Sequence, residues 1–144
     1  MNELGHQSII RKSFEDQGGL AHKYPADNML GWPDLIMIGP ETGTWFVEVK
    51  VIKSAIVGFH RAIKASKKQR LMMDRINAHG GNAVIFVVVV YRDKSQWLVA
   101  VPPGTEKLKC PTSTGNPTCV PRERVVGYDV NELLRRYVLQ RHSE

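Results

Sequence analysis

Three side chains in residues 31–51, GWPDLIMIGPETGTWFVEVKV, have types and spacing suited to chemistry: Asp34, Glu48 and Lys50. Asp34 follows a proline ahead of one apolar run, and Glu48 and Lys50 stand two apart inside the next, TWFVEVKVI. On a strand, side chains two apart project to the same side, about 6.5–7 Å from each other. The turn-forming GPETG folds the second run back on the first, and counting from it sets Asp34 opposite Glu48, within about one residue of register. Burying charge is costly unless it is paired or bound to a metal. Two carboxylates this close repel each other unless a cation lies between them. Carboxylate oxygens suit a hard divalent ion such as Mg²⁺, and a lysine beside it can activate water or neutralise charge on a phosphorane. That is equipment for phosphodiester hydrolysis. The residues alone leave a second reading open: Asp34 as the cap of a turn, and Glu48–Lys50 as an ion pair on a solvent-facing strand.

Positioning these groups requires a scaffold. The sequence predicts a helix over residues 3–17, with Ile10 and Phe14 on one face and Gly18-Gly19 ending it. An extended segment over 21–24 and strands over 35–38 and 44–52 follow. In the last of these Trp45, Val47, Val49 and Val51 share one face, and Phe46, Glu48, Lys50 and Ile52 the other. Residues 53–66 read as a basic loop or short helix. A helix follows over 67–78, its buried face given by Leu71, Met72, Met73 and Ile76. AVIFVVVVY (83–91) is apolar throughout, as expected of a central strand covered on both faces, and WLVAV (97–101) makes another strand. Residues 102–121 read as a long loop carrying Cys110 and Cys119 as two free thiols, since no Cys-x-x-Cys spacing supports a metal. A last helix spans about 129–142, with Asp129 as N-cap and Glu132 completing a capping box. The order α-β-β-β-α-β-β-α predicts an α/β fold, a mixed central sheet flanked by helices, in one domain: a core over about 3–101, the loop, and the C-terminal helix.

Composition narrows the class. The 144 residues are 42% hydrophobic and 24% charged, with no tract long enough to span a bilayer and no secretory leader pattern. A reducing, cytoplasmic setting is expected. The formal charge of +6 is concentrated: Lys50, Lys53, Arg61, Lys64, Lys67, Lys68, Arg70 and Arg75 face the single acid Asp74 between positions 50 and 75. The other positions hold twelve basic and thirteen acidic residues. Such a patch is the footprint of a polyanion partner, or else a solvated surface.

PD, thirteen intervening residues and EVK together resemble the PD-(D/E)xK nuclease superfamily. Gly31 before WPD and the downstream SKKQRLMMDRINAHGGNAVIFVV (66–88) are similar to its virus-type replication-repair branch (VRR-NUC) and to small phage and Holliday-junction-resolving enzymes. There a Ser-x-x-Gln opens a helix that ends in Gly-Gly before a buried strand. The likeness covers roughly residues 3–91 and implies a restriction-endonuclease-like core, α-β-β-β-α-β. It implies Asp34, Glu48 and the Val49 carbonyl as ligands of Mg²⁺ or Mn²⁺, Lys50 as the catalytic lysine, and Gln69 as a supporting catalytic residue. Glu3, four residues before Gln7, fits the additional glutamate that the family draws from its first helix, with Glu15 as a rival. The insert between Lys50 and Gln69, with Phe59, His60 and Arg61, departs from the pattern and reads as a substrate-binding element.

The expected activity is a Mg²⁺-dependent endonuclease selective for branched DNA, a resolvase working as a homodimer without an organic cofactor. With no helix-turn-helix or zinc finger in view, phosphate contacts and shape set the substrate, and Lys53, Arg61, Lys64, Lys67, Lys68 and Arg70 are the DNA-binding candidates. A flap, end-processing or restriction-like nuclease would use the same residues. A non-enzymatic nucleic-acid binder would gain nothing from two acids facing a phosphate.

Overall fold

A computed structural model describes residues 1–24, 30–111, 118–125 and 127–142. The chain opens with α1 (Glu3–Asp16), capped by the Asn2 side chain, which accepts from the Gly5 N–H at 3.0 Å. It continues through β1 (Leu20–Lys23), β2 (Leu35–Gly39), β3 (Gly43–Ala55), β4 (His60–Ala62), α2 (Lys67–Ala78), β5 (Ala83–Tyr91), β6 (Gln96–Val101), β7 (Lys107–Lys109), β8 (Cys119–Pro121) and α3 (Val130–His142).

Six strands form the main sheet in the order β1-β2-β3-β5-β6-β8. Every neighbouring pair is antiparallel except β3 and β5, whose parallel pairing is bridged by the segment containing α2. The all-apolar β5 lies inside the sheet between β3 and β6, as its continuous apolar run requires. Helices cover both faces. Ile10 and Phe14 of α1 and Leu133, Leu134 and Tyr137 of α3 pack with Trp45, Val47 and Val49 on one face; Met73 and Ile76 of α2 pack with Ile52, Ile85 and Val87 on the other. The alternation of β3 therefore assigns its two faces as its sequence predicts, and Glu48 and Lys50 belong to the α2 side.

Three short strands were not anticipated. The segment 53–66 is neither loop nor helix throughout. β3 runs on to Ala55 through an irregularity after Ile52, and β4 then pairs with β7 as a two-stranded ribbon. The region read as a loop over 102–121 contributes β7 and the edge strand β8; residues 112–117 of it lie outside the described residues. Strands of three residues show no period, so only pairing reveals them. Leu71 is exposed rather than part of the α2 core, because it lies about 200° around the helix from Met73. Asp129 caps α3 as expected, accepting from the Glu132 N–H at 3.0 Å, but the Glu132 carboxylate is held by Arg135 and Arg136 and does not close a box. Both cysteines are buried and neither is in a disulfide. Among the described residues no helix is long and apolar enough to cross a membrane.

Candidate active site

The site forms where β2 starts. Leu35 pairs with Val47, and continuing that register by one step sets Asp34 opposite Glu48. At this point the backbone ladder gives way to a side chain: Asp34 Oδ2 accepts from the Val49 N–H at 2.9 Å. On the other flank the Asp34 carbonyl accepts from the Tyr24 N–H at 3.0 Å. In an antiparallel ladder the N–H and C=O of one residue face the same neighbour, so the Val49 carbonyl points to the side on which Asp34 lies.

Glu48 is 1% exposed. Its Oε2 meets Lys50 Nζ at 3.3 Å and accepts from Gln69 Nε2 at 2.9 Å, while Oε1 is buried without a hydrogen-bond partner. Glu3 reaches the same place from the first turn of α1. Carboxylate oxygens of Glu3, Asp34 and Glu48 lie within 4.8 Å of one another. Glu15, exposed near the far end of the helix, is about 18 Å along the axis from Glu3 and takes no part. Burial and the negative charge of Asp34 push the Glu48 carboxyl up to about 8, against the opposing pull of Lys50. Glu3 is raised too, chiefly by its own desolvation.

Gln69 reaches Glu48 because of how α2 starts. Ser66 is the N-cap: its hydroxyl accepts from the Gln69 N–H at 3.1 Å, and the Gln69 Oε1 accepts from the Ser66 N–H at 3.0 Å. With its amide oxygen fixed by this capping box, the amide nitrogen has one direction left, toward Glu48.

A cleft of about 330 Å³ opens over the carboxylates, lined by Glu3, Gln7, Trp32, Asp34, Lys68 and Gln69 among others. Gly31 allows the cleft wall to close on α2. Its φ is +79°, and a Cβ there would stand 2.7 Å from the Lys68 carbonyl oxygen. Trp32 packs between Tyr24 and Phe46, with ring centroids 6.1 Å from each.

The remaining sequence candidates scatter. Lys67 and Lys68 stand exposed at the start of α2 beside the cleft. Arg61 and His60 lie on β4, and Arg61 Nη1 donates to the Lys53 carbonyl at 3.0 Å. Lys64 is exposed after the ribbon. Arg70 serves the fold instead. Its guanidinium donates to the carbonyls of Pro103, Thr105 and Ile63 at 2.6, 2.7 and 2.9 Å, pinning the segment before β7 to α2. That geometry turns it away from the role of phosphate contact. Gln7, 3% exposed with Oε1 unpartnered, joins the cleft although it entered the sequence reading only as a marker for Glu3. Its spacing of three from Ile10 and seven from Phe14 was the available signal, a polar residue on the buried stripe.

The donor set fits a hard divalent cation. Three carboxylates converge against one lysine, and a buried carboxylate oxygen is left without a partner, a state that buried polar groups rarely tolerate.

No family model matches the chain, and no curated protein matches it. Solved structures do. One, described as a VRR_NUC domain, is 30% identical over a match covering 59% of this chain and 82% of that one, with a TM-score of 0.45. Another, Hjc of Archaeoglobus fulgidus, a Holliday junction resolvase from an archaeal hyperthermophile, is 13% identical over 72% of this chain and 84% of that one, with a TM-score of 0.52. The second shares the fold, a mixed sheet between helices. In this chain PD, EVK and the Ser-x-x-Gln helix start meet in one place. They are the motifs by which the sequence resembles the VRR-NUC branch of the PD-(D/E)xK nuclease superfamily.

Proposed function

We propose that this chain is a divalent-metal-dependent endodeoxyribonuclease that cuts branched DNA as a homodimer. One observation carries the metal dependence: the buried Glu48 carboxylate, with an unpartnered oxygen, facing Asp34 and Glu3 within 4.8 Å. Asp34, Glu48 and the Val49 carbonyl would hold Mg²⁺ or Mn²⁺, with Glu3 as a further ligand. When bound, such an ion supplies Lewis-acid stabilisation of charge on the phosphate and a nucleophile at neutral pH.

The protein's own groups do the rest. Lys50, held 3.3 Å from Glu48, is placed to orient the attacking water and to neutralise charge as it develops on the phosphoryl oxygens. Gln69 fixes the rotamer of Glu48, so the ligand is preorganised before the ion arrives. Lys67 and Lys68, at the positive end of the α2 dipole, neutralise the phosphates of a strand lying in the cleft. His60, Arg61, Lys107 and Lys109 make the β4–β7 ribbon a basic arm, with Phe59 exposed beside it. An exposed aromatic side chain beside this ribbon can stack on an unpaired base, which a branch point offers and continuous duplex does not. The likeness to a Holliday junction resolvase supports the same substrate. Two copies about a two-fold axis would match the symmetry of a four-way junction.

The test is cleavage of labelled four-way junction, flap, linear duplex and single strand, each with Mg²⁺, Mn²⁺ or EDTA, beside an Asp34→Asn control. Paired nicks in the junction, lost in EDTA and in the variant, are expected. Equal cutting of flaps or linear DNA would remove the junction preference. Cutting that survives EDTA would remove the metal.

A further inference from the structure

On the other side of the start of α1 lies a second cavity, of about 600 Å³, lined by His6, Lys53, Ser54, Arg92, Lys94 and Gln96 with the amino terminus at its mouth. No acidic residue lines it. Lys53, Arg92 and Lys94 form no ion pair among the described residues, and Arg122 flanks the cavity, its Nη1 donating to Gln96 Oε1 at 3.0 Å. Asp93, the nearest acid in sequence, is turned to Ser95, accepting from its N–H and hydroxyl at 2.9 and 2.6 Å. His6 is 2% exposed, and its Nδ1 has no partner.

The backbone around this cavity is strained. Two non-glycine residues among those described have positive φ, Ser54 at 54° and Lys94 at 74°, and both line it. Residues held in this region cost on the order of 1–3 kcal/mol each and cluster where a function fixes them. Ser54 sits in the irregularity between Ile52 and Ala55, and such bulges re-aim side chains out of the ladder. Lys53, immediately before it, is the side chain delivered to the cavity. A buried polar atom without a partner, three cationic side chains outside any ion pair and two strained backbones converge on one cavity.

We infer that this cavity binds a backbone phosphate of the same DNA strand that the carboxylate cleft cuts, held by Lys53, Arg92 and Lys94 with His6 at its floor. The inference rests on the nuclease reading. His6 lies one helical turn from Glu3, and Lys53 lies three residues beyond Lys50, so a strand crossing the start of α1 meets both places. The second contact sets where along the strand the cut falls, because it holds a phosphate at a fixed offset from the cleft.

The test is backbone-amide NMR of the intact wild-type chain in EDTA, where no turnover occurs, titrated with a duplex bearing a short single-stranded tail and separately with inorganic phosphate. Binding of the same DNA is then measured against KCl concentration for wild type, Arg92→Gln/Lys94→Gln, and Lys12→Gln/Arg141→Gln, a double change of equal charge elsewhere. Expected are DNA-induced shifts at His6, Ser54 and Lys94 as well as in the cleft, with inorganic phosphate moving the same signals only at far higher concentration. The first double variant, but not the second, should flatten log Kd against log[KCl] by about 0.7–0.9 for each phosphate released. Shifts confined to the cleft, with an unchanged slope, would overturn this inference and leave the nuclease standing. Saturation by inorganic phosphate with no response to DNA here would make it a free-anion site and overturn the inference too. DNA-induced shifts in neither place would remove both readings.

Discussion

Gln69 donates to Glu48 at 2.9 Å with the nitrogen of the same amide whose oxygen, 3.0 Å from the Ser66 N–H, caps α2. One side chain thus couples the start of a helix to the rotamer of a buried carboxylate. The two roles separate by substitution. Gln69→Glu keeps the cap but sets a second carboxylate against Glu48, so it should lose about 10–100-fold in cleavage and show a stability loss that low pH or a divalent cation relieves. Gln69→Ala should lose similar activity and also about 0.5–1 kcal/mol of stability. Denaturant melts beside junction cleavage read both.

The raised Glu48 carboxyl makes stability and metal affinity depend on pH in opposite directions. Folding favours the neutral form, so this contribution is full below about pH 4.5 and is lost as pH rises through about 8. The metal-free protein should therefore melt at progressively lower temperature across that window. A cation favours the ionised form, so the rise in Tm on adding Mg²⁺ should grow with pH, and binding below pH 8 should release a proton. Glu48→Gln should flatten both trends. Thermal melts at fixed ionic strength, with and without Mg²⁺, measure them.

Lys50 holds Glu48 partly ionised. Lys50→Met should cost about 10²–10⁴-fold in cleavage with the fold intact, and should move the Glu48 titration further upward because the opposing cation is gone. Carboxyl-carbon NMR of Glu48 against pH checks the direction independently of turnover.

Gly31→Ala should cost about 1–3 kcal/mol, since φ of +79° is strained for alanine and the new Cβ meets the Lys68 carbonyl oxygen at 2.7 Å. Activity should fall further than stability predicts, because the displaced turn carries Gln69. Comparing urea midpoints with rates at a temperature where the variant is fully folded separates the two.

Arg70→Lys should destabilise by about 1–3 kcal/mol, since an ammonium cannot span the three carbonyls that the guanidinium reaches. It should leave the salt dependence of DNA binding unchanged, which distinguishes it from Lys67→Gln or Lys68→Gln.

The convergence of Asp34, Glu48 and Lys50 was legible because it depends on quantities a sequence carries. The GPETG turn fixes the register that sets Asp34 against Glu48, and alternation along TWFVEVKVI assigns the two faces of β3. The Ser66-x-x-Gln69 helix start, noted only as part of the family resemblance, is in place as a capping box. What stayed hidden depends on distant partners. The ribbon strands β4 and β7 exist only as a pair, forty-seven positions apart, and nothing in either trio of residues announces the other. Arg70 looks like its basic neighbours until the carbonyls of Pro103 and Thr105 come within reach. His6 looks like exposed helix polarity until α1 is laid on the sheet.

The ribbon has one further consequence. Cys110 closes it, its N–H donating to the Phe59 carbonyl and its own carbonyl accepting from Gly58, while Cys119 is built into the main sheet on β8. Burial raises both thiols, Cys119 to about 11, so neither reacts readily while covered. The molecule therefore carries two internal clocks. The alkylation rate at Cys110 times the detachment of the ribbon from the body, and the rate at Cys119 times the opening of the sheet edge; their ratio gauges how independently the ribbon moves from the scaffold that holds the carboxylates.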